Sequence, residues 1–367
     1  MIKKLTYIAG AMALVLTVGC GGGSEEAANT SGGSEETTST SGGGEAEAKP
    51  KTKHKIAYVT NGIDPFWDLC AAGVRQAENE LGGVECEVHF PPKGLADQKS
   101  ILETLLAKGI KGIAVSPIDA DGQTKFLNEV AAQTKLITHD ADAPKSDRLV
   151  YIGTDNYKAG RALGQLVKEA IPDGGEVAIF VGRLEQLNAR QRRQGVIDEL
   201  LDRPSQALGQ IKFDEVAKVF KGEKYTIVDT RTDNFVMDAA KSNAEDAITK
   251  YENLACMVGL FAYNPPRCLQ AIKEAGKLGQ IKVCGFDEDD ALLQAIKDGH
   301  AYGTISQQPW KYGYESVRML KGILDGDDSA IPASKFIDVG YKSVTAKNID
   351  EFWAEKREMA ALGAKKD

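Results

Sequence analysis

The chain has 367 residues, 42% hydrophobic and 27% charged, with a formal net charge of -8. That acidic balance argues against a nucleic-acid partner. Six cysteines without a CxxC spacing and four histidines (His54, His89, His139, His300) without ligand spacing argue against a disulfide scaffold or a metal centre, although a single bridge stays open. No cofactor motif is present: GxSxG, Walker and GxGxxG signatures are all missing.

Lys3 and Lys4 precede an apolar run from Tyr7 to Gly19. That run is shorter than the roughly 20 residues of a membrane-spanning helix and has the length of a signal-peptide core, so 1–19 reads as a signal peptide. It ends in Leu16-Thr17-Val18-Gly19-Cys20, which resembles a bacterial lipobox. The resemblance implies a diacylglyceryl group on Cys20, while Thr17 stands where the lipobox usually has Leu, so a cleaved but unlipidated signal stays open. Residues 20–53 form a tether, since 21–50 are almost wholly Gly, Ser, Thr, Glu and Ala and cannot bury a core. The globular part is thereby placed in the periplasm or outside the cell, touching the membrane only through its lipid.

From Lys55 onward, strand-like and helix-like segments alternate. Apolar runs at 55–60, 86–90, 112–116, 135–139, 150–153, 176–181, 225–229, 255–262, 282–286 and 302–306 predict strands. Helical periodicity fills most intervals, as from Phe66 to Leu81 and from Asp97 to Lys108. Repeated βαβ units imply an α/β fold with parallel sheets covered by helices on both faces. Roughly 310 residues beyond the tether exceed one comfortable core. The order of elements before Asp155 is echoed after Gly175, so two similar doubly wound lobes are expected. Cys86, Cys256 and Cys284 fall in strand-like runs, where a free thiol acts as a small buried hydrophobe.

Six of the apolar runs end in polar or aromatic clusters: Asp64-Pro65-Phe66-Trp67, Ser116-Pro117, His139-Asp140, Tyr263-Asn264, Phe286-Asp287 and Gln307-Gln308. Ligands of open parallel sheets bind outside the carboxyl ends of the strands, so these clusters describe a polar ligand site.

At this point the residues resemble the periplasmic sugar-binding proteins of ABC importers, of the ribose and galactose type, from about Lys55 to Val344. The motifs that carry the resemblance are Asp64-Pro65-Phe66-Trp67 with Gly73, Ile118-Asp119-Ala120-Asp121, Gly153-Thr154-Asp155-Asn156 with Gly160, and Asn188-Ala189-Arg190-Gln191-Arg192-Arg193-Gln194-Gly195. Phe261-Ala262-Tyr263-Asn264, Gly285-Phe286-Asp287 and Thr304-Ile305-Ser306-Gln307 complete it in the family's order. The resemblance implies two lobes joined by three crossover strands, with the ligand between them. The first lobe would hold 54–156 plus 308–338, the second 157–307 plus 339–355, and 356–367 would be a tail. Hinges would lie near Asp155-Asn156, Gln307-Gln308 and Asp338-Val339. Expected partners are a monosaccharide or related polyol and an ABC transporter permease, and the protein would be a monomer.

Sugars present apolar faces that pack on aromatic rings and hydroxyls that both donate and accept. Candidate ligand residues on the first lobe are Asp64, Phe66, Trp67, Ser116 and Asp140. The second lobe contributes Asn188, Arg192, Phe235, Asn264 and Asp287, and Gln307 sits at a crossover. Arg192 is favoured over Arg190 and Arg193 because it lies one helical turn beyond Asn188 and because the resemblance selects it. As an arginine facing an open, wet cleft, its truncation is expected to change stability by less than about 1 kcal/mol. Asp64 competes with a helix-capping role, Phe66 and Trp67 with core packing, and Asp287 with capping of the next helix. Departures from the ribose type at Ala141, Asn264-Pro265 and Asp64 imply a ligand other than ribose. Catalysis is the disfavoured class. The nearer alternatives are a same-fold receptor for a cyclitol, nucleoside or quorum signal, or a sensory input protein for a membrane histidine kinase.

Overall fold

The computed structural model describes residues 53–362; Cys20 and the segments expected to be a signal peptide and a tether, up to Thr52, lie outside the described residues, as do 363–367. The chain begins β1 (His54–Val59), α1 (Phe66–Leu81), β2 (Val84–His89), α2 (Leu95–Ala107), β3 (Gly112–Val115), α3 (Thr124–Ala131), β4 (Lys135–His139) and β5 (Tyr151–Gly153). It continues with α4 (Asn156–Ala170), β6 (Gly175–Val181), α5 (Leu187–Leu200), β7 (Phe220–Lys221), β8 (Tyr225–Thr232), α6 (Met237–Lys250), β9 (Leu254–Gly259), α7 (Asn264–Glu274), β10 (Lys282–Phe286) and α8 (Asp290–Lys297). The last elements are β11 (Gly303–Ser306), α9 (Pro309–Leu324), β12 (Phe336–Asp338), β13 (Lys342–Thr345) and α10 (Ile349–Leu362).

The strands form two sheets. One is all parallel, in the order β12-β5-β4-β3-β1-β2. The other runs β13-β11-β10-β9-β6-β8-β7, parallel except for its two edges, β13 and β7. Both sheets are apolar on both faces, as parallel sheets with helical cover must be. In β1, Ile56 and Tyr58 enter one core cluster and Ala57 and Val59 another. In β6, Val177, Ile179 and Val181 face one cluster, Ala178 and Phe180 the other. The architecture is thus two α/β lobes of the expected kind. All ten predicted runs are strands. β7, β12 and β13 were not among them, because two to four partly exposed residues leave no apolar run to detect. The helix predicted over Phe66–Leu81 has those bounds, and α2 starts two residues before its predicted Asp97.

The chain passes between the sheets after β5, after β11 and after β12. These strands of passage are stitched together. The Thr154 hydroxyl lies 2.7 Å from Tyr312 Oη, 3.0 Å from the Gly340 carbonyl and 3.4 Å from the Gln307 carbonyl. Gln308 Nε2 donates to the Val339 carbonyl at 2.8 Å, and Val339 N donates to the Gly153 carbonyl at 2.9 Å. Residues 356–362, expected as a tail, belong instead to α10, whose Phe352 completes the second lobe's core and which also packs against α1 of the first.

Each lobe contains one helix pair in close backbone contact, α1 with α9 and α4 with α5. A Cβ on Gly73 or Gly313 would come within 2.0 Å of the Trp310 or 1.9 Å of the Cys70 carbonyl oxygen. A Cβ on Gly160 would approach the Arg192 carbonyl to 2.3 Å. Overpacking of this kind costs roughly 1–3 kcal/mol, against a helix-propensity gain of up to about 1 kcal/mol from Gly to Ala. Gly160→Ala is therefore expected to lower the unfolding free energy by about 1–2 kcal/mol, read from the urea midpoint; an unchanged midpoint would mean that α4 and α5 can separate without cost.

Candidate functional site

A cavity of about 360 Å³ lies between the lobes at the carboxyl ends of both sheets. The first lobe lines it with the segment after β1 (Asn61 to Trp67), the Pro91-Pro92-Lys93-Gly94 segment after β2, Ile118, and Asp140 after β4. The second lobe lines it with Arg183 and Gln186 after β6, Asn188 and Arg192 of α5, Asn234 and Phe235 after β8, Phe261 to Tyr263 after β9, and Asp287 after β10. Gln307, at the second passage between sheets, completes the wall.

Backbone conformation aims these groups. Asp140, Asn234, Phe235, Asp287 and Gln308 have φ between 55° and 67°, and they make up five of the seven non-glycine residues with positive φ among those described. Left-handed backbone is costly for L-residues and clusters where function demands a particular direction. Each sits where a strand ends at the cavity or a hinge begins. Asp287 is further fixed by its N–H donating to the Ile305 carbonyl at 2.8 Å and by the Thr304 hydroxyl donating to its own carbonyl at 2.7 Å.

Arg192 is the centre of the wall. It is 1% exposed, and its Nε donates to Asn156 Oδ1 at 2.8 Å, Nη1 to the Leu260 carbonyl at 2.9 Å, and Nη2 to Gln307 Oε1. Its guanidinium carbon lies 4.3 Å from the Phe286 ring centre and 5.5 Å from that of Phe261. The picture of an arginine standing in an open cleft is therefore wrong: this side chain is buried and joins α4, β9 and the crossover after β11. Gln307 Nε2 then donates to Asp287 Oδ1 at 2.6 Å, and Tyr312 Oη donates to Gln307 Oε1 at 3.1 Å.

Three carboxylates line the cavity with one oxygen engaged and the other without a hydrogen-bond partner among the described residues. Asp140 Oδ2 accepts from Ser116 Oγ at 2.9 Å and from Asn61 Nδ2 at 3.5 Å. Asp287 uses Oδ1 for Gln307, and Asp64 uses Oδ1 to accept the Phe66 N–H at 2.9 Å in a turn two residues long, while Pro65 stands at the N-cap of α1. Burial raises the Asp140 carboxyl from 3.8 to about 6, against the opposing influence of Arg192 and the Ser116 hydroxyl. Burial likewise pushes Asp287 well above the usual range, opposed by Arg192 and reinforced by Glu288. Asp64 is also raised, by burial and by the neighbouring Asp289 and Asp68 charges.

Of the eleven residues expected from sequence, nine line the cavity: Asp64, Phe66, Trp67, Asp140, Asn188, Arg192, Phe235, Asp287 and Gln307. Trp67 is largely core, edge-on to His139 at 5.8 Å and to Phe66 at 4.9 Å. Ser116 and Asn264 do not line it. Ser116 is fully buried behind Asp140 and holds it. Asn264 accepts the Phe261 N–H at 3.1 Å and donates to Asp233 Oδ2 at 2.9 Å, so its amide is committed to shaping the loop after β9. Helix α8 is capped by Asp289, which accepts from Ala291 N at 2.8 Å, leaving Asp287 for the cavity. Sequence reasoning missed Asn61, Arg183, Gln186 and Asn234. Arg183 and Asn234 follow strands β6 and β8 and were discoverable by the same strand-end rule. Among the described residues no cluster of His, Cys, Asp and Glu is arranged to hold a metal ion, and the five described cysteines are free.

A family model described as periplasmic binding protein domain matches residues 56–328. The ribose import binding protein RbsB of Salmonella typhimurium is 25% identical over 290 residues, 76% of this chain and 88% of that protein. The xylose/arabinose-binding protein XylF of Sulfolobus acidocaldarius is 25% identical over 327 residues, 83% of this chain and 74% of the relative. A solved ABC transporter solute binding protein from Burkholderia graminis, in complex with D-arabinose, superposes with a TM-score of 0.72 at 25% identity, covering 82% of this chain and 98% of the other. All three are named as binding proteins, and catalysis is set aside.

Removing Arg192 would leave the Asn156 Oδ1 and the Leu260 carbonyl without their donor, Gln307 Oε1 with Tyr312 Oη alone, and two buried carboxyls without their cation. Losing one partner of a buried charge network typically costs about 3–5 kcal/mol. Arg192→Ala is thus expected to lose about 3 kcal/mol or more in urea unfolding without ligand; a loss below about 1 kcal/mol would restore the exposed-arginine picture.

For Asp140 the folded value lies above the unfolded one, so the protonated form favours the fold. That contribution is complete below about pH 4 and is lost as pH rises through about 6. Asp140→Asn cannot titrate there. Between pH 4 and pH 7.5 its stability relative to the wild type should rise by on the order of 3 kcal/mol, measured by denaturant titration at each pH; a flat difference would show that Asp140 is ionised in the fold throughout.

Proposed function

This chain belongs to the periplasmic binding protein domain family, and from that premise we propose that it captures a monosaccharide or closely related polyol in the interlobe cleft for delivery to an ABC transporter permease. The observation that carries this reading is the single cavity wall assembled from both lobes, with three carboxylates presenting unengaged oxygens beside the rings of Phe66, Trp67 and Phe235. Carboxylate oxygens accept hydroxyl protons, amides of Asn188 and Asn61 both donate and accept, and rings pack on the C–H faces of a pyranose or furanose. Hydrogen bonds to charged groups contribute roughly 1.5–3 kcal/mol each. A few of them reach the ~8 kcal/mol of micromolar binding.

Neither lobe alone surrounds a ligand, so binding favours the form in which both walls meet. The names of the relatives, which bind ribose, xylose or arabinose, support a sugar as ligand. The signal segment and the Cys20 lipobox support a tethered position outside the cytoplasmic membrane, within reach of a permease.

A thermal-shift screen of pentoses, hexoses and cyclitols, followed by small-angle scattering, tests the reading. A ligand present at 100 times its Kd should add about 2.7 kcal/mol of stability and reduce the radius of gyration. If no monosaccharide or cyclitol stabilises the protein, the sugar reading fails; if one stabilises it without compaction, the cleft binds sugar but does not close on it.

A further inference from the structure

Two cations on the cavity wall have no acceptor among the described residues. Arg183, in the loop after β6, is half-buried and forms neither an ion pair nor a hydrogen bond among the described residues; its guanidinium carbon lies 5.3 Å from the centre of the Phe235 ring. Other arginines of this lobe are engaged: Arg161 with Glu199, Arg193 with the Asp214 and Glu215 carbonyls, Arg203 with Asp214 and Asp198, Arg231 with Asp229 and Asp246. From the first lobe, the exposed Lys93 lines the same cavity, and its ammonium too has no partner among the described residues. Asp97, one helical turn away, accepts the Lys93 backbone N–H at 2.9 Å and not its side chain.

Arg183 is separated from the carboxylate end of the cleft by a row of stacked groups. It lies against Phe235, Phe235 stacks on Phe261 with ring centres 5.6 Å apart, and Phe261 in turn lies against Arg192, which reaches Asp287 through Gln307. The cleft wall therefore carries acceptors at Asp140 and Asp287 and, apart from them along the stacked row, the cation Arg183, with Lys93 lining the same cavity from the first lobe. Neutral sugars offer Arg183 hydroxyl acceptors but no opposite charge. A planar guanidinium already held on an aromatic face, with its hydrogen-bond donors unused, fits an oxyanion of matching geometry.

Resting on the reading of the cleft as a sugar site, we propose that the ligand is a sugar derivative carrying an anionic substituent, a carboxylate or a phosphate ester. Its hydroxyls lie against the aspartates and its anion between Arg183 and Lys93. Closure brings the two cations, one from each lobe, to the same group, so the anion itself favours the closed form.

Calorimetric titration of wild type and Arg183→Gln with two matched series decides this: D-galactose, D-galacturonate and D-galactose 6-phosphate, and D-arabinose, D-arabinonate and D-arabinose 5-phosphate. An anionic member should bind at least tenfold more tightly than its neutral parent, with an affinity that falls as salt is raised. Arg183→Gln should remove most of that preference while the ligand-free melting temperature stays near wild type. Which anion prevails tells a carboxylate from a phosphate ester. Equal or tighter binding of a neutral parent, or an equal loss for all members in Arg183→Gln, overturns the inference and leaves the sugar reading standing. No binding by any member of either series overturns both.

Discussion

The buried guanidinium of Arg192 is the constraint on which the rest of this molecule depends. Burying such a cation is costly unless its donors are satisfied and opposite charge lies near. Here the cost is offset by three acceptors from distant parts of the chain, Asn156, Leu260 and Gln307, two aromatic faces, and the nearby carboxyls of Asp140 and Asp287. Two of those acceptors belong to the passages between lobes. The group that polarises the cavity is thus also the group that ties the passages between lobes, and a ligand contact at Asp287 or Gln307 would fall on that same network.

That coupling explains why the carboxyls around Arg192 are poised as they are. One cation serves two buried acids, and the burial of both outweighs its help, so each holds its proton more tightly than an exposed aspartate would. A sugar hydroxyl is suited to such a pair, because it can donate to a carboxylate or accept from a protonated carboxyl. The site tolerates either protonation state of its walls, provided the ligand is uncharged at that end.

Much of the fold was legible because strands buried on both faces must be continuously apolar, and such runs are conspicuous. The short edges β7, β12 and β13 lack that burial and left no comparable signal. The site was legible where chemistry follows strand ends: Asp64, Asp140, Phe235 and Asp287 all lie there. What the sequence withheld was depth. Arg192 was picked out, but its immobility depends on Asn156 and Gln307, 36 residues before it and 115 after it, and no local pattern reports such partners. For the same reason Ser116 and Asn264, polar and at strand ends, were assigned to the ligand, whereas they lie off the cavity wall and hold Asp140 and the loop after β9. Arg183 was overlooked because the run ending at Val181 opens into Gly182 and an arginine rather than a recognisable polar cluster.

The left-handed backbone around the cleft also bears on how this protein can change. At Asp140, Asn234 and Asp287 the conformation and the side chain agree, since short Asx side chains tolerate it. At Phe235 and Gln308 they disagree, and glycine or asparagine would relieve the chain. A ring and a long amide are kept there against the local preference of the backbone, one for the cavity and one for the hinge. New specificities are therefore most accessible at Phe235, where a substitution toward the backbone's preference relieves the chain while it reshapes the cavity wall, and least accessible at the Asx positions, where geometry and chemistry would both have to be replaced at once.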